Sequence, residues 1–482
     1  MYKPTIGLEI HAELNTKSKM FCSCKNDPLE KRPNFNICPV CTAQPGTLPV
    51  VNKEAVRKVI KTGLALGSKI AKESKFDRKN YFYPDLPKGY QISQYDMPFC
   101  EGGFLEIEGK KVRIKRIHLE EDTGRLIHKD GESLVDLNRA GVPLMEMVTE
   151  PDIYSGSQAR QFAQELQLIL RYLGVSNADM EKGQMRVEVN ISLSKTKKLG
   201  TKVEIKNLNS FRVVEKAVDY EIERQTEILE EGGKIVQETR GWHDKKQKTL
   251  SQREKEEAHD YRYLPEPDLP TFHIEKSFVD EIKREISELP SEKRERFRKE
   301  YGLENIEMFV SDKDLGCYFE QVMSELKEWV KTIEQKRKIA EEDLLKLTKL
   351  AYNYITTDLQ GLLAGRSAKE IKVTPENFGE FIALIYGGKI SSKTAKQVLA
   401  EMMAKGKDPS HIIEEGGLGQ IEGEGEIESI VKEVIGKNKK AVEDYKGGKE
   451  ESLQFLVGQV MAATKGRAKP DIARDTLKKL LK

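Results

Sequence analysis

The sequence lacks an apolar run of membrane-spanning length, and its start, "MYKPTIGLEI", has no hydrophobic leader, so a cytoplasmic protein away from the membrane is expected. It also lacks G-x-x-x-x-G-K-[ST], G-x-G-x-x-G and G-x-S-x-G, so any nucleotide chemistry must use another cradle. "SSK" at 391–393 has none of the glycine-rich surroundings of an amidase Ser-Ser-Lys and reads as a helix N-terminus. No hydrolytic nucleophile is visible. Excess charge of one sign is missing too: 81 Lys and Arg offset 79 Asp and Glu, for a net charge of +2. Bulk charge therefore does not announce a nucleic-acid partner.

What is present suffices for several cores. The chain has 482 residues, 38% hydrophobic and 33% charged, which predicts two to four domains with a soluble surface. Up to about residue 290 it reads as strands and irregular segments with a few helices, suggesting α+β or α/β. After Leu289-Pro290, Lys/Glu-rich helical patterns dominate. Helices are predicted from Phe162 to Leu173, ended by Gly174, and from Val214 to Leu229, stopped by Gly232-Gly233. "TPENFGEFIALIYGG" (374–388) and "SSKTAKQVLAEMMAKG" (391–406) read as capped helices, 414–428 as a linker or exposed turn, and Leu453–Met461 as a further helix.

The opening segment "TIGLEIHAEL" alternates strictly, so Ile6, Leu8, Ile10, Ala12 and Leu14 face a core while Glu9, His11 and Glu13 face outward. Residues two apart on a strand leave the same face about 6–7 Å apart, close enough for two side chains to reach one ion. "MRVEVNISL" (185–193) repeats the pattern with Arg186, Glu188 and Asn190 outward, and "KVEIK" (202–206) with Glu204 and Lys206. "VRIKRIHLEED" (112–122) starts with Val112 and Ile114 inward, then changes parity to Ile117 and Leu119, as a bulge would produce. It also carries His118, Glu120, Glu121 and Asp122. Converging acidic faces with one imidazole describe a divalent-cation site suited to Mg²⁺, Mn²⁺ or Zn²⁺; scattered ones are a solvated sheet surface.

Cys22-x-Cys24 and Cys38-Pro-Val-Cys41 place four thiols within twenty residues, the pattern of a tetrahedral zinc knuckle. Four cysteine ligands leave no open position, so such a zinc is structural. "FDRKNYFYPDLPKGYQISQ" (76–94) interleaves Tyr81, Phe82, Tyr83 and Tyr90 with Arg78, Lys79 and Lys88. It suits stacking a base and holding phosphates, or equally a Pro-pinned loop packed on the sheet. "DYRYLPEPDLP" (260–270) is open to the same two readings. Residues 411–430 hold six glutamates and no Lys or Arg, whereas 436–482 carry a net charge of +6. The basic end is a polyanion contact or a solvated helical face.

"GLEIHAEL", "KNYFYPDLPKGYQISQ", "HLEEDTGR", "VDLNRAGVPLMEMVTEPD", "EIKNLNSF", "DYRYLPEPDLP" and "FLVGQVMAATKGRAKP" together resemble the B-subunit family of bacterial aspartyl/glutamyl-tRNA amidotransferases, in order along nearly the whole chain. The resemblance implies an α+β protein: an antiparallel-sheet cradle over 1–290, then two all-helical domains, 291–407 and 408–482, the last gripping tRNA. It implies that ATP activates the side-chain carboxylate of Glu-tRNA(Gln) or Asp-tRNA(Asn), and that ammonia from an amidase A subunit then displaces phosphate. A small C subunit and a glutamyl- or aspartyl-tRNA synthetase are further implied partners. By the same resemblance Glu9, His11, Glu121 and Glu188 would hold the metal, Mg²⁺ or Mn²⁺. Arg186, Asn190, Glu204, Lys206 and Asn207 would stand close by, positioning phosphate or water, with Lys79, Tyr81 and Tyr83 on the substrate side. Lys465, Arg467, Lys469, Arg474 and Lys478 would touch tRNA phosphates. A non-catalytic tRNA-binding scaffold and a stand-alone phosphoryl-transfer enzyme are the competing readings.

Overall fold

Alternation makes the first strand. In β1 (Lys3–Glu13), Ile6, Leu8, Ile10 and Ala12 are buried, while Glu9 and His11 on the other face are half-buried. β1 sits in the middle of a ten-stranded sheet. The other principal strands are β2 (Lys110–Glu121), β3 (Pro143–Thr149), β4 (Met185–Ser194), β5 (Val203–Leu208), β6 (Glu238–His243) and β7 (Lys248–Glu254). Their order across the sheet is β7-β6-β5-β4-β1-β3-β2, and three short strands extend the β2 edge. Neighbours run antiparallel except β5 and β6, which are parallel. The parallel pair follows from the helix between them, since a crossover returns the chain to the end it left.

That crossover is α3 (Phe211–Glu230); α1 (Lys53–Ala65) and α2 (Gly156–Tyr172) precede it. Each begins at a side-chain cap. Asn52 accepts from the amides of Glu54 and Ala55, Ser155 from Gln158 and Ser210 from Val213, a contribution of about 1 kcal/mol apiece. Their buried residues, among them Val59, Phe162, Leu166, Val214 and Val218, join one core with Ile6, Ile10, Val187 and Ile205 of the sheet.

Two irregularities set which side chains share a face. Val148 pairs with Arg116 but Thr149 with Ile114, so Lys115 is an extra residue in β2 and the parity change expected there is a bulge. Val187 pairs with Leu208 but Val189 with Ile205, so β5 also bulges, with Asn207 at φ 62°. Asparagine tolerates this left-handed conformation better than most residues.

Residues 2–254, 261–334, 341–421, 424–464 and 466–481 are described by this computed structural model, in two units, Met1–Pro290 and Ser291–Lys482. The second unit is helical. Phe297, Tyr301, Phe309 and Phe319 form an aromatic cluster in its first part. Thr374 caps Pro375–Tyr386 and Ser391 caps Ser392–Lys405, so "SSK" is indeed a helix start. The expected linker at 414–428 is shorter than predicted, because Pro409–Gly416 and Glu424–Lys437 are helices. Helices up to Pro470–Leu481 share a separate core of Ile427, Val431, Leu456, Val460, Ala473 and Leu477. Among the described residues no helix is long and apolar enough to cross a membrane.

A buried ion cluster ties α3 to β6 and β7. The Glu221 carboxylate accepts from Arg224 at 2.9 Å and Gln225 at 3.0 Å, pairs with Arg240 at 3.0 Å, and accepts from the Thr249 hydroxyl. Burial pushes its pKa up, but these donors outweigh burial and hold it below the usual range. A depressed carboxylate pKa contributes stability above the unfolded value of about 4.3, and that contribution is lost as pH falls through the folded value. Glu221→Gln should therefore destabilise the first unit by about 3 kcal/mol at pH 7 and flatten the acid limb of its stability profile, checked by denaturant unfolding between pH 3 and 7.

Candidate active site and metal centres

Parity and register send polar residues of five adjacent strands to one sheet face. Glu204 and Lys206 come from β5, Arg186, Glu188 and Asn190 from β4, and Glu9, His11 and Glu13 from β1; Glu146 comes from β3, and Arg116, His118 and Glu120 from β2. Glu9 lies opposite Glu188, His11 between Arg186 and Glu146, and Asn190 opposite Glu204. Three groups of ligand atoms each fall within 4.8 Å of one another: Glu9 with His11 and Glu146, Glu9 with Glu188 and Glu204, and His118 with Glu120 and Glu146.

Glu146 is the hub. Its carboxylate lies 3.4 Å from the Nε2 of His11 and 3.4 Å from that of His118, with Arg116 at 3.7 Å. Burial alone would push its pKa up, but the two imidazoles hold it well below the carboxylate range. Burial would lower His11, yet the hydrogen bond and charge of Glu146, aided by Glu120 at 3.6 Å, raise it to about 9. Glu9 differs. Burial and the nearby charges of Glu146 and Glu188 push its pKa up, against the pull of His11 and Lys79, and among the described residues no hydrogen bond or salt bridge engages its carboxylate. Crowded, unshared carboxylate oxygens on one sheet face are a donor set that fits a hard divalent cation.

The cations surround this floor. Lys206 is 2.9 Å from Glu188, whose charge and that of Glu204 raise it against burial. Arg186 donates to Asp122 at 2.7 Å. Burial would lower Lys79, but the charges of Glu120 and Glu146 raise it. Its ammonium is 5.0 Å from the Tyr261 ring. The two aromatic motifs meet here: Leu264 pairs with Arg78, Arg78 grips Glu266 at 2.9 and 2.8 Å, and Asn80 donates to the Arg262 carbonyl. Tyr81 donates to Gln91 and packs edge-on against Tyr83 and Tyr261, while Phe82 and Tyr83 stay exposed. Asp260, the first residue of the second motif, lies outside the described residues.

Glu121 stands apart. The resemblance groups it with Glu9, His11 and Glu188, but it belongs to none of the ligand groups. The Lys115 bulge puts Arg116, His118 and Glu120 on the face shared with Glu9 and His11, and the register then runs without interruption to Glu121, which must point away. Glu121 instead binds Lys88 at 2.6 Å and accepts from the Ile92 amide. Glu146 was missed. A lone carboxylate inside "VPLMEMV" was the available signal, since a charge in an apolar strand must find partners. Asn207 sits exposed at its bulge and not on the crowded floor.

The four cysteines converge, each offering a sulfur within 4.8 Å of the other three. Cys38 and Cys41 sulfurs are 3.9 Å apart, close to the roughly 3.8 Å that a tetrahedron of 2.3 Å Zn–S bonds requires. Beside them a cavity of about 220 Å³, lined by Cys22, Cys41, Lys88, Tyr90 and Glu121 among others, lies off the carboxylate floor. In the second unit Arg474 and Lys478 are exposed. Arg467 is half-buried and spent on the carbonyls of Thr464 and Gly417, and Lys469 is half-buried; Lys465 lies outside the described residues.

Comparison with known proteins assigns the family. Residues 4–280 match the GatB/GatE catalytic domain and residues 337–481 the GatB domain. The chain is 49% identical to a protein of Thermotoga maritima, covering all of this chain and 99% of the relative. It is 48% identical to one of Persephonella marina, end to end in both, and 48% identical to one of Thermoanaerobacter pseudethanolicus, over all of this chain and 99% of the relative. All three are named as the B subunit of aspartyl/glutamyl-tRNA(Asn/Gln) amidotransferase. The chain belongs to the GatB/GatE family.

Opposite stability effects are expected within this site. Glu146→Ala strands two imidazoles and Arg116 and should cost about 3–5 kcal/mol. Glu9→Gln relieves like-charge crowding and should leave the metal-free chain as stable or more so, as denaturant unfolding in the presence of a chelator would register.

Proposed function

We propose that this chain is the B subunit of a tRNA-dependent amidotransferase and carries its activation site. The substrates are Glu-tRNA(Gln) or Asp-tRNA(Asn), ATP and ammonia. The γ-phosphoryl group moves to a side-chain carboxylate oxygen, ammonia attacks the acyl carbon, and phosphate leaves. Activation is needed because ammonia cannot expel oxide from a carboxylate. An amidase A subunit supplies the ammonia and a small C subunit holds the assembly together, with a glutamyl- or aspartyl-tRNA synthetase as donor of the charged tRNA. The setting is the cytoplasm.

The observation that carries this reading is the gathering of Glu9, His11, Glu146 and Glu188 on one sheet face. These four, with Glu204 beside them, would hold Mg²⁺ or Mn²⁺. When bound, the ion neutralises phosphate oxygens. Lys79 and Lys206 present ammonium groups toward the same space, suited to the charge that spreads over a transferring phosphoryl group. Arg186 and Asn190 stand along β4 to orient the acceptor, and Asn207 stands at the β5 bulge. Glu120 and Glu146 hold His11 in orientation. Exposed Phe82 and Tyr83, above Tyr81, offer stacking faces for a terminal base. The knuckle would hold structural zinc. The separate cores support a division into a cradle, 1–290, a helical domain, 291–407, and a tRNA-binding tail, 408–482.

In the assembled complex, Glu9→Ala or His11→Ala should reduce ATP-dependent amidation at least about a hundred-fold while glutamine hydrolysis by the amidase partner persists. Normal transamidation by either variant refutes the site. For the tail, Arg474→Ala with Lys478→Ala should weaken tRNA binding and lower its logarithmic salt slope by about 1 per lost phosphate contact, measured by filter binding across a salt series.

A further inference from the structure

Lys19 is fully buried, at 0% exposure. An ammonium withdrawn from water persists only where an anion or several acceptors meet it. Its Nζ lies 3.7 Å from the Cys41 sulfur and 3.2 Å from the Leu137 carbonyl oxygen. Among the described residues no carboxylate pairs with it. The anion it faces is therefore the cysteine cluster.

We propose that Lys19 is a positioning residue for the knuckle, its ammonium donating an N–H···S hydrogen bond to the Cys41 thiolate and compensating the charge of the tetrathiolate. The inference rests on the reading that the knuckle holds zinc. Four thiolates around Zn²⁺ leave a net charge of −2, and the one buried ammonium, set against the buried Cys41, halves it. Donation to sulfur also withdraws electron density from it, which blunts its attack on electrophiles.

The same side chain reaches into the cradle. Through the Leu137 carbonyl it holds the 137–141 turn, whose Gly141, at φ +83°, takes a left-handed conformation that side chains rarely adopt. A Cβ there would lie 3.5 Å from Cys41 Cβ and 3.6 Å from Lys19 Cδ in a left-handed backbone. The chain passes from this turn into β3, which carries Glu146. Lys19 thus joins the knuckle to the strand that organises the histidines.

The test uses the full chain in its assembled complex, with zinc as the probe. Zinc content is measured after equilibration with added zinc, and release to a chromogenic chelator is then timed. Wild type should hold about one zinc per chain. Lys19→Met, which keeps the stem and removes the charge, should release zinc about 10–100 times faster, and Lys19→Arg should recover part of the loss. Equal release from wild type and Lys19→Met overturns the role of Lys19, while the knuckle reading stands. A wild-type chain that takes up no zinc overturns the knuckle reading and the proposal with it. A measurement on wild type alone covers the case in which the variants do not fold. With ¹⁵N-labelled lysine, the Lys19 ammonium signal should be protected from exchange and should shift when a chelator strips the zinc; an unmoved signal overturns the proposal.

Discussion

A single carboxylate buried between two imidazoles organises the centre of the ten-stranded sheet. Glu146 holds His11 from β1 on one side and His118 from β2 on the other, each at 3.4 Å, so three adjacent strands meet at one charge. Withdrawing that carboxylate from water is costly, and the two histidines with Arg116 compensate it. Because Glu146 is satisfied, its neighbour Glu9 can be left unsatisfied. The floor therefore has a stabilised half and a crowded half. Crowding without a partner is how a fold keeps ligand atoms ready for a cation, at a standing cost to its own stability.

Much of this was legible in the sequence because side-chain alternation along a strand is a short-range rule. The opposed faces of β1, β4 and β5, the helix caps at Thr374 and Ser391, and the gathering of four cysteines all follow from spacings within a few residues. What stayed hidden depends on pairing between distant strands. Nothing near Glu146 says that histidines 135 and 28 residues away will flank it; only the sheet order β1-β3-β2 does. The parallel step between β5 and β6 likewise depends on where α3 returns the chain. The placing of Glu121 depends on another rule. A family pattern supplies the residue type, but strand parity decides direction, and past the Lys115 bulge it is Glu120 that shares a face with His118.

The rim is built on a similar economy. Two proline-rich aromatic segments nearly two hundred residues apart are locked by the bidentate Arg78–Glu266 pair and a short ladder, which leaves Phe82 and Tyr83 free at the surface. Within those segments some rings are packed and others are exposed. The basic tail divides the same way. Arg467 is consumed in closing its own helix end, so charge counted along a sequence overstates the charge available to a partner.

The extra residue in β2 has a consequence out of proportion to its size. Lys115 works like an inserted letter in a text read two letters at a time. Everything after it is shifted by one frame, and His118 and Glu120 turn from the greasy side of the sheet to the wet one. Were that lysine paired as an ordinary residue instead of bulged out, Ile117 and Leu119 would take the face now held by His118 and Glu120. The identity of this polar face is thus written partly as a count of residues and not only as their kinds.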